Sequence, residues 1–263
     1  MSRPTYQLAC LLTIGLAILS LNACSTKQIA MTPDGLKDLK PESQITVVHY
    51  DPEPFAIYRG ERAVRGTVLR MLLPIIGLVI QGSMEYSEAK EAGAKFISLS
   101  QLTDPITDLE ARFLNAWQKE TGVRKLELPQ FTADDDVGVL QTKYATGYVL
   151  DFHTLGWFIL PPIPNLFSSD QNYRAVYVAR SRLVRLVDKT VVWQGTCDYD
   201  PDTSPRPTLN LTHVDGSDKG IEVRNAFDTL AAHCADVLWR QFFGRNSGPE
   251  LPSPSSFEKQ AIR

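Results

Sequence analysis

Tyr173-Arg174-Ala175-Val176-Tyr177-Val178-Ala179-Arg180-Ser181-Arg182-Leu183-Val184-Arg185-Leu186-Val187 is followed by Asp188-Lys189 and then by Thr190-Val191-Val192-Trp193-Gln194-Gly195-Thr196-Cys197. Both flanks are rich in β-branched and apolar residues, and a polar pair separates them. This pattern predicts an antiparallel hairpin, because strands take side chains that fill a pleated surface and a tight connection takes polar ones. Side chains alternate along a strand. Val176, Val178, Val184 and Leu186 therefore share one face, and Tyr177, Ala179, Leu183 and Val187 the other. Arg180, Arg182 and Arg185 interrupt both faces. They are expected as exposed strand charges, since no glycine-rich loop accompanies them to make a phosphate site.

After the hairpin, Phe227, Leu230, Ala231, Cys234, Val237, Leu238 and Phe242 keep the three-four spacing of a buried helical stripe. Asp236 and Arg240 pair on its outer side, and Gly244 ends it. Before the hairpin, Tyr148-Val149-Leu150-Asp151-Phe152-His153 alternates like a strand. The segment 155–167 that follows holds Pro161, Pro162 and Pro164, which argue for a loop. If that loop is exposed, Trp157, Phe158, Ile159, Leu160 and Phe167 make a partner surface. If it folds back, they are core.

Further upstream, Ile45-Thr46-Val47-Val48-His49-Tyr50 reads as a buried strand ended by Asp51-Pro52-Glu53-Pro54. Residues 68–80 are strongly apolar but hold Arg70, Pro74 and Gly77; they read as a kinked buried helix or as an interaction surface. Ser83 is positioned to cap a helix running through Lys95. Asp104-Pro105 starts another, with Ile106, Leu109, Phe113 and Trp117 on one stripe and Gly122 at its end. Residues 125–128 read as a short strand. Asp134-Asp135-Asp136 then precedes Val137, Leu140 and Tyr144. Aspartates there are expected to cap helix amides rather than to bind metal.

Both ends differ from the middle. Residues 8–21 are almost wholly apolar, Arg3 supplies a positive start, and the run closes on Leu21-Asn22-Ala23-Cys24. The run is shorter than the ~20 residues a membrane-spanning helix needs. Leu21-Asn22-Ala23-Cys24 resembles the lipobox of bacterial lipoproteins, in which the cysteine becomes the first mature residue and carries lipid. The resemblance implies a signal peptide over 1–23, lipidation (with palmitate among the usual chains) at Cys24, and attachment to a membrane. Ser25, rather than aspartate, follows the cysteine, which resembles the outer-membrane sorting pattern of Gram-negative lipoproteins. The polar stretch 24–43 reads as a lipidated flexible tether reaching roughly 25 Å. Residues 246–263, with Pro249, Pro252 and Pro254 among serines, read as a disordered tail.

Loss of the leader removes Arg3 and takes the formal charge from −3 to −4. That mild acidity speaks against nucleic acid as a partner. Of four cysteines, Cys10 leaves with the leader and Cys24 takes lipid, which leaves Cys197 and Cys234. In an oxidising compartment they form a disulfide or remain two buried thiols. His49, His153, His213 and His233 have no metal-ligand spacing. The loop opening Asp198-Tyr199-Asp200-Pro201-Asp202 mimics a calcium loop but has Thr203 for the turn glycine and Leu209 for the bidentate glutamate. No metal and no cofactor is expected. Asp151 and His153 share a face, and a serine from elsewhere would complete a triad, but nothing selects one.

The element order predicts a single α/β domain over 44–245, a mixed sheet with a C-terminal antiparallel hairpin and helices packed against it. The strand, helices, long hairpin with Arg182-Leu183-Val184-Arg185-Leu186-Val187-Asp188 and Val192-Trp193-Gln194, and closing helix resemble the α/β lipoproteins related to the curli-secretion channel subunit and the amino-terminal domain of TolB. Those families act by binding. The expectation is a non-enzymatic lipoprotein on the periplasmic face of the outer membrane that binds or scaffolds an envelope protein. The alternatives are an envelope hydrolase using Asp151 and His153, and an accessory subunit of an envelope transport system.

Overall fold

The hairpin forms and anchors a mixed sheet. In the computed structural model, β6 (Tyr173–Arg185) pairs antiparallel with β7 (Thr190–Cys197) on one side and with β5 (Tyr148–Leu160) on the other. The structure describes residues 28–58, 84–123, 125–126, 130–145, 147–161, 172–198, 205, 207–209 and 219–244. The leader, Cys24, residues 68–80, Ser83, Phe167 and the tail 246–263 lie outside these residues.

β1 (Gln44–His49) runs parallel to β5, and β2 (Ala56–Ile57) continues the same flank of β5. Between them stand Pro52 and Pro54, which have no amide hydrogen to donate to a ladder. β3 (Lys125–Leu126) and β4 (Gln130–Phe131) line the far side of β1, and β8 (Thr208–Leu209) extends the β6 edge beyond β7. The row order is β3-β1-β5-β6-β7, parallel on one half and antiparallel on the other.

Apart from the short α1 (Pro33–Asp38), the helices are α2 (Met84–Ser100), α3 (Ile106–Thr121), α4 (Val137–Tyr144) and α5 (Lys219–Phe243). α3 and α5 bury their stripes on one sheet face. Leu109, Phe113 and Trp117 are fully buried, as are Leu150, Phe152 and Trp193 beneath them. Phe113 meets Phe152 at 5.5 Å, Trp193 at 5.9 Å and Phe242 at 6.0 Å between ring centroids. Burying one such side chain contributes about 1.5–3 kcal/mol, so this cluster dominates the energetics. Gly122, at φ +69°, ends α3 with its amide on Gln118 O at 3.0 Å. The Cys197–Cys234 disulfide ties β7 to α5 across the same core.

Two readings of the sequence are corrected here. The stretch 155–160 is not a loop: β5 continues to Leu160, with a register shift between Thr154 and Gly156, and the prolines begin only where it stops. Trp157, Phe158, Ile159 and Leu160 are therefore buried within the sheet and offer no partner surface. Trp157 packs on Phe55 at 4.8 Å, and its Nε1 donates to Glu53 O at 2.6 Å. Within the expected tether 24–43, residues 28–43 are likewise docked on the domain. Thr32 caps α1, Leu39 is buried, and Ile29 exchanges two backbone hydrogen bonds with Gln194 of β7.

Candidate functional site

The second sheet face is apolar at both ends and charged in the middle. At one end Val48, Tyr50, Val149, Val184 and Leu186 lie under Leu140 of α4. At the other, Ala56, Phe158, Leu160 and Val176 meet Ala89 of α2. Between them, the β5–β6 register sets Asp151 opposite Arg182 and His153 opposite Arg180.

Asp151 is fully buried and Arg182 nearly so. The Asp151 carboxylate accepts from Arg182 Nε at 2.8 Å and from the Arg182 amide at 3.0 Å, with Nη2 at 2.6 Å. Tyr50 OH donates to the same carboxylate at 2.9 Å. Arg182 Nη2 also donates to the Asp135 carbonyl at 2.8 Å. Burial works against the Arg182 charge, yet Asp151 outweighs it and holds the guanidinium more firmly protonated than usual. Burial and then the Asp151 charge push the Tyr50 phenol well above its ordinary value. The expectation of exposed strand arginines is thus wrong for Arg182 and for Arg180, whose side chain is 11% exposed, because their partners lie on other elements, invisible until the fold is known.

Nearer the surface, Arg180 Nη2 donates to Asp135 at 2.8 Å, and His153 Nδ1 stands 3.7 Å from the same carboxylate. Burial pushes the Asp135 carboxyl up, but the Arg180 hydrogen bond and the charges of Arg180, Arg182 and His153 together bring it below its ordinary value. Burial, then the Arg180 charge, lowers His153. Its ring stacks at a tilt on Tyr50, 4.9 Å between centroids. Of the three aspartates before α4, only Asp136 caps the helix, through Gly138 and Val139; Asp134 accepts from the Asp136 amide, and Asp135 serves the arginines.

The geometry does not join Asp151 to His153 as a triad would. Asp151 serves Arg182 and Tyr50, while the carboxylate beside His153 belongs to Asp135. Among the described residues, no group of three or more acidic, histidine or cysteine side chains is placed to hold a metal.

Two further buried carboxyls lie toward the helical side. Asp104 accepts from Thr154 Oγ1 at 2.8 Å and from the Ile106 amide at 3.1 Å, and burial pushes it up to about 6. Glu110 of α3 faces His49 at the end of β1, Oε2 to Nδ1 3.4 Å, and burial pushes it up to about 7. Burial also lowers His49, so burial pushes both side chains toward their neutral forms.

A groove of about 500 Å³ lies between the N-terminal segment, β7 and the end of α5, lined by Ile29, Trp193, Val237, Arg240 and Gln241. No sequence pattern marks it, since its walls come from three distant stretches.

No family model matches the sequence, and no curated protein does. Solved structures give distant likenesses. PelC from Paraburkholderia phytofirmans, described as a dodecamer, is 13% identical over 78% of this chain and 95% of its own, at a TM-score of 0.25. Lipoprotein GNA1162 from Neisseria meningitidis is 13% identical over 72% and 98%, at 0.23. XCC0632 from Xanthomonas campestris is 12% identical over 84% and 94%, at 0.33.

Proposed function

We propose that the mature protein begins at Cys24, carries lipid on that sulfur, and works on the periplasmic face of the outer membrane by binding an envelope protein rather than by catalysis. The observation that carries this reading is the apolar run 8–21 closing on Leu21-Asn22-Ala23-Cys24. Each buried methylene of an acyl chain contributes ~0.8 kcal/mol, and two or more chains hold a protein stably on a bilayer.

The binding half of the proposal draws support from how the buried charges are used. Asp151, which the hydrolase alternative pairs with His153, is instead engaged by Arg182 and Tyr50. Buried, mutually satisfied charges hold a scaffold in one shape.

The test is affinity capture from cross-linked envelopes with the full chain and with a Cys24→Ala variant. A stoichiometric envelope protein recovered with the first and lost with the second is expected. Hydrolysis of an envelope substrate by the purified protein, abolished in His153→Ala, would overturn the reading.

A further inference from the structure

β7 is the outer row of the sheet, and an outer strand normally leaves every second amide and carbonyl unpaired. Here the chain closes that edge itself. Ile29 N donates to Gln194 O at 3.0 Å, and Gln194 N to Ile29 O at 2.9 Å. Two residues on, the Gln241 side chain of α5 does what a neighbouring strand would do: Thr196 N donates to its Oε1 at 3.0 Å and its Nε2 to Thr196 O at 2.9 Å. The N-terminal segment is therefore pinned to the domain at Ile29, next to the groove that Arg240 and Gln241 line.

Cys24 precedes Gln28 by four positions. Whatever conformation those residues take, they span at most about 14 Å. The headgroup layer on each side of a bilayer is itself several ångströms deep, roughly 5–8 Å. A lipid on Cys24 thus leaves the β7 edge almost no room to stand off from the membrane. We infer that the β7 edge and the C-terminal end of α5, with the groove between them, face the lipid headgroups directly. The inference rests on the lipidation of Cys24. α5 has 25 residues and so runs roughly 37 Å. Its other end, where Ile221 is 67% exposed, lies that distance along the helix from the β7 edge.

The experiment uses the full, processed chain in vesicles of phosphatidylethanolamine and phosphatidylglycerol carrying a headgroup-linked quencher. A fluorophore is attached to Ala30→Cys in one preparation and to Ile221→Cys in another; both sites are exposed, and Cys197 and Cys234 are already bridged. The Ala30 label is expected to be quenched several-fold more than the Ile221 label. Inserting a twenty-residue Gly-Ser segment between Lys27 and Gln28 should erase the difference, because the reach then grows to roughly 27 Å. Equal or inverted quenching of the two labels in vesicle-bound protein whose mass includes the lipid overturns the orientation alone. A bare Cys24 in protein that does not bind the vesicles overturns the anchor and the orientation with it.

Discussion

Glu110 makes the stability of this fold depend on pH in the direction opposite to most paired carboxylates. It is 3% exposed, its Oε2 has no hydrogen-bond partner among the described residues, and burial holds its proton until about pH 7. The unfolded chain releases that proton near the ordinary value of 4.5. Between those two values the native state binds more protons than the unfolded state, so stability is full below 4.5 and falls as pH rises through about 7. At about 1.4 kcal/mol per tenfold, that interval amounts to an upper limit of roughly 3 kcal/mol. His49 acts the other way: burial lowers it from 6.5, so its contribution is lost as pH falls. Glu110→Gln keeps the shape of the protonated acid and leaves His49 in place. Urea unfolding of both proteins from about pH 4.5 to about pH 8 should give equal stabilities at the acid end and a variant more stable by about 2–3 kcal/mol at the alkaline end. Parallel curves, with no widening gap, would refute the buried neutral acid.

Removing one member of the central ion pair should cost far more than removing both. Asp151→Asn leaves Arg182 buried without its counter-charge and is expected to lose about 3–5 kcal/mol in denaturant unfolding, whereas Asp151→Leu with Arg182→Met should recover most of it. Cys197 and Cys234 lie 37 residues apart. Closing a loop of that length is worth about 4 kcal/mol, so a double alanine variant should melt earlier and, unlike the parent, be indifferent to reductant. Gly93 of α2 lies against the chain just before β2: an added Cβ would sit 2.0 Å from Phe55 O. Gly93→Ala should therefore destabilise by about 1–3 kcal/mol despite alanine's better helix propensity, and a variant as stable as the parent would contradict that packing.

What the sequence revealed and what it hid divide along physical lines. The hairpin, the stripes of α3 and α5, the Asp104-Pro105 start and the Gly122 stop are local signals, and each was legible. The end of β5 is hidden by the three prolines that follow it, yet a proline removes a ladder donor only at its own position and leaves the residues before it free to pair. The polar centre was hidden for a different reason. Asp151 and Arg182, or Tyr50 and Asp151, are far apart in the chain, and only strand register makes them neighbours. The stretch 24–43 reads as a tether from its prolines and polarity, yet Ile29 and Leu39 within it are the apolar residues that dock it.

The anchor and the orientation both stand on lipid attached to the Cys24 sulfur. Intact-mass and peptide mass spectrometry of protein extracted from outer membranes addresses it directly. The account predicts a first residue Cys24 bearing a thioether-linked diacylglyceryl group and an amide-linked acyl chain. An unmodified Cys24, or a chain that still begins upstream of it, would contradict the account.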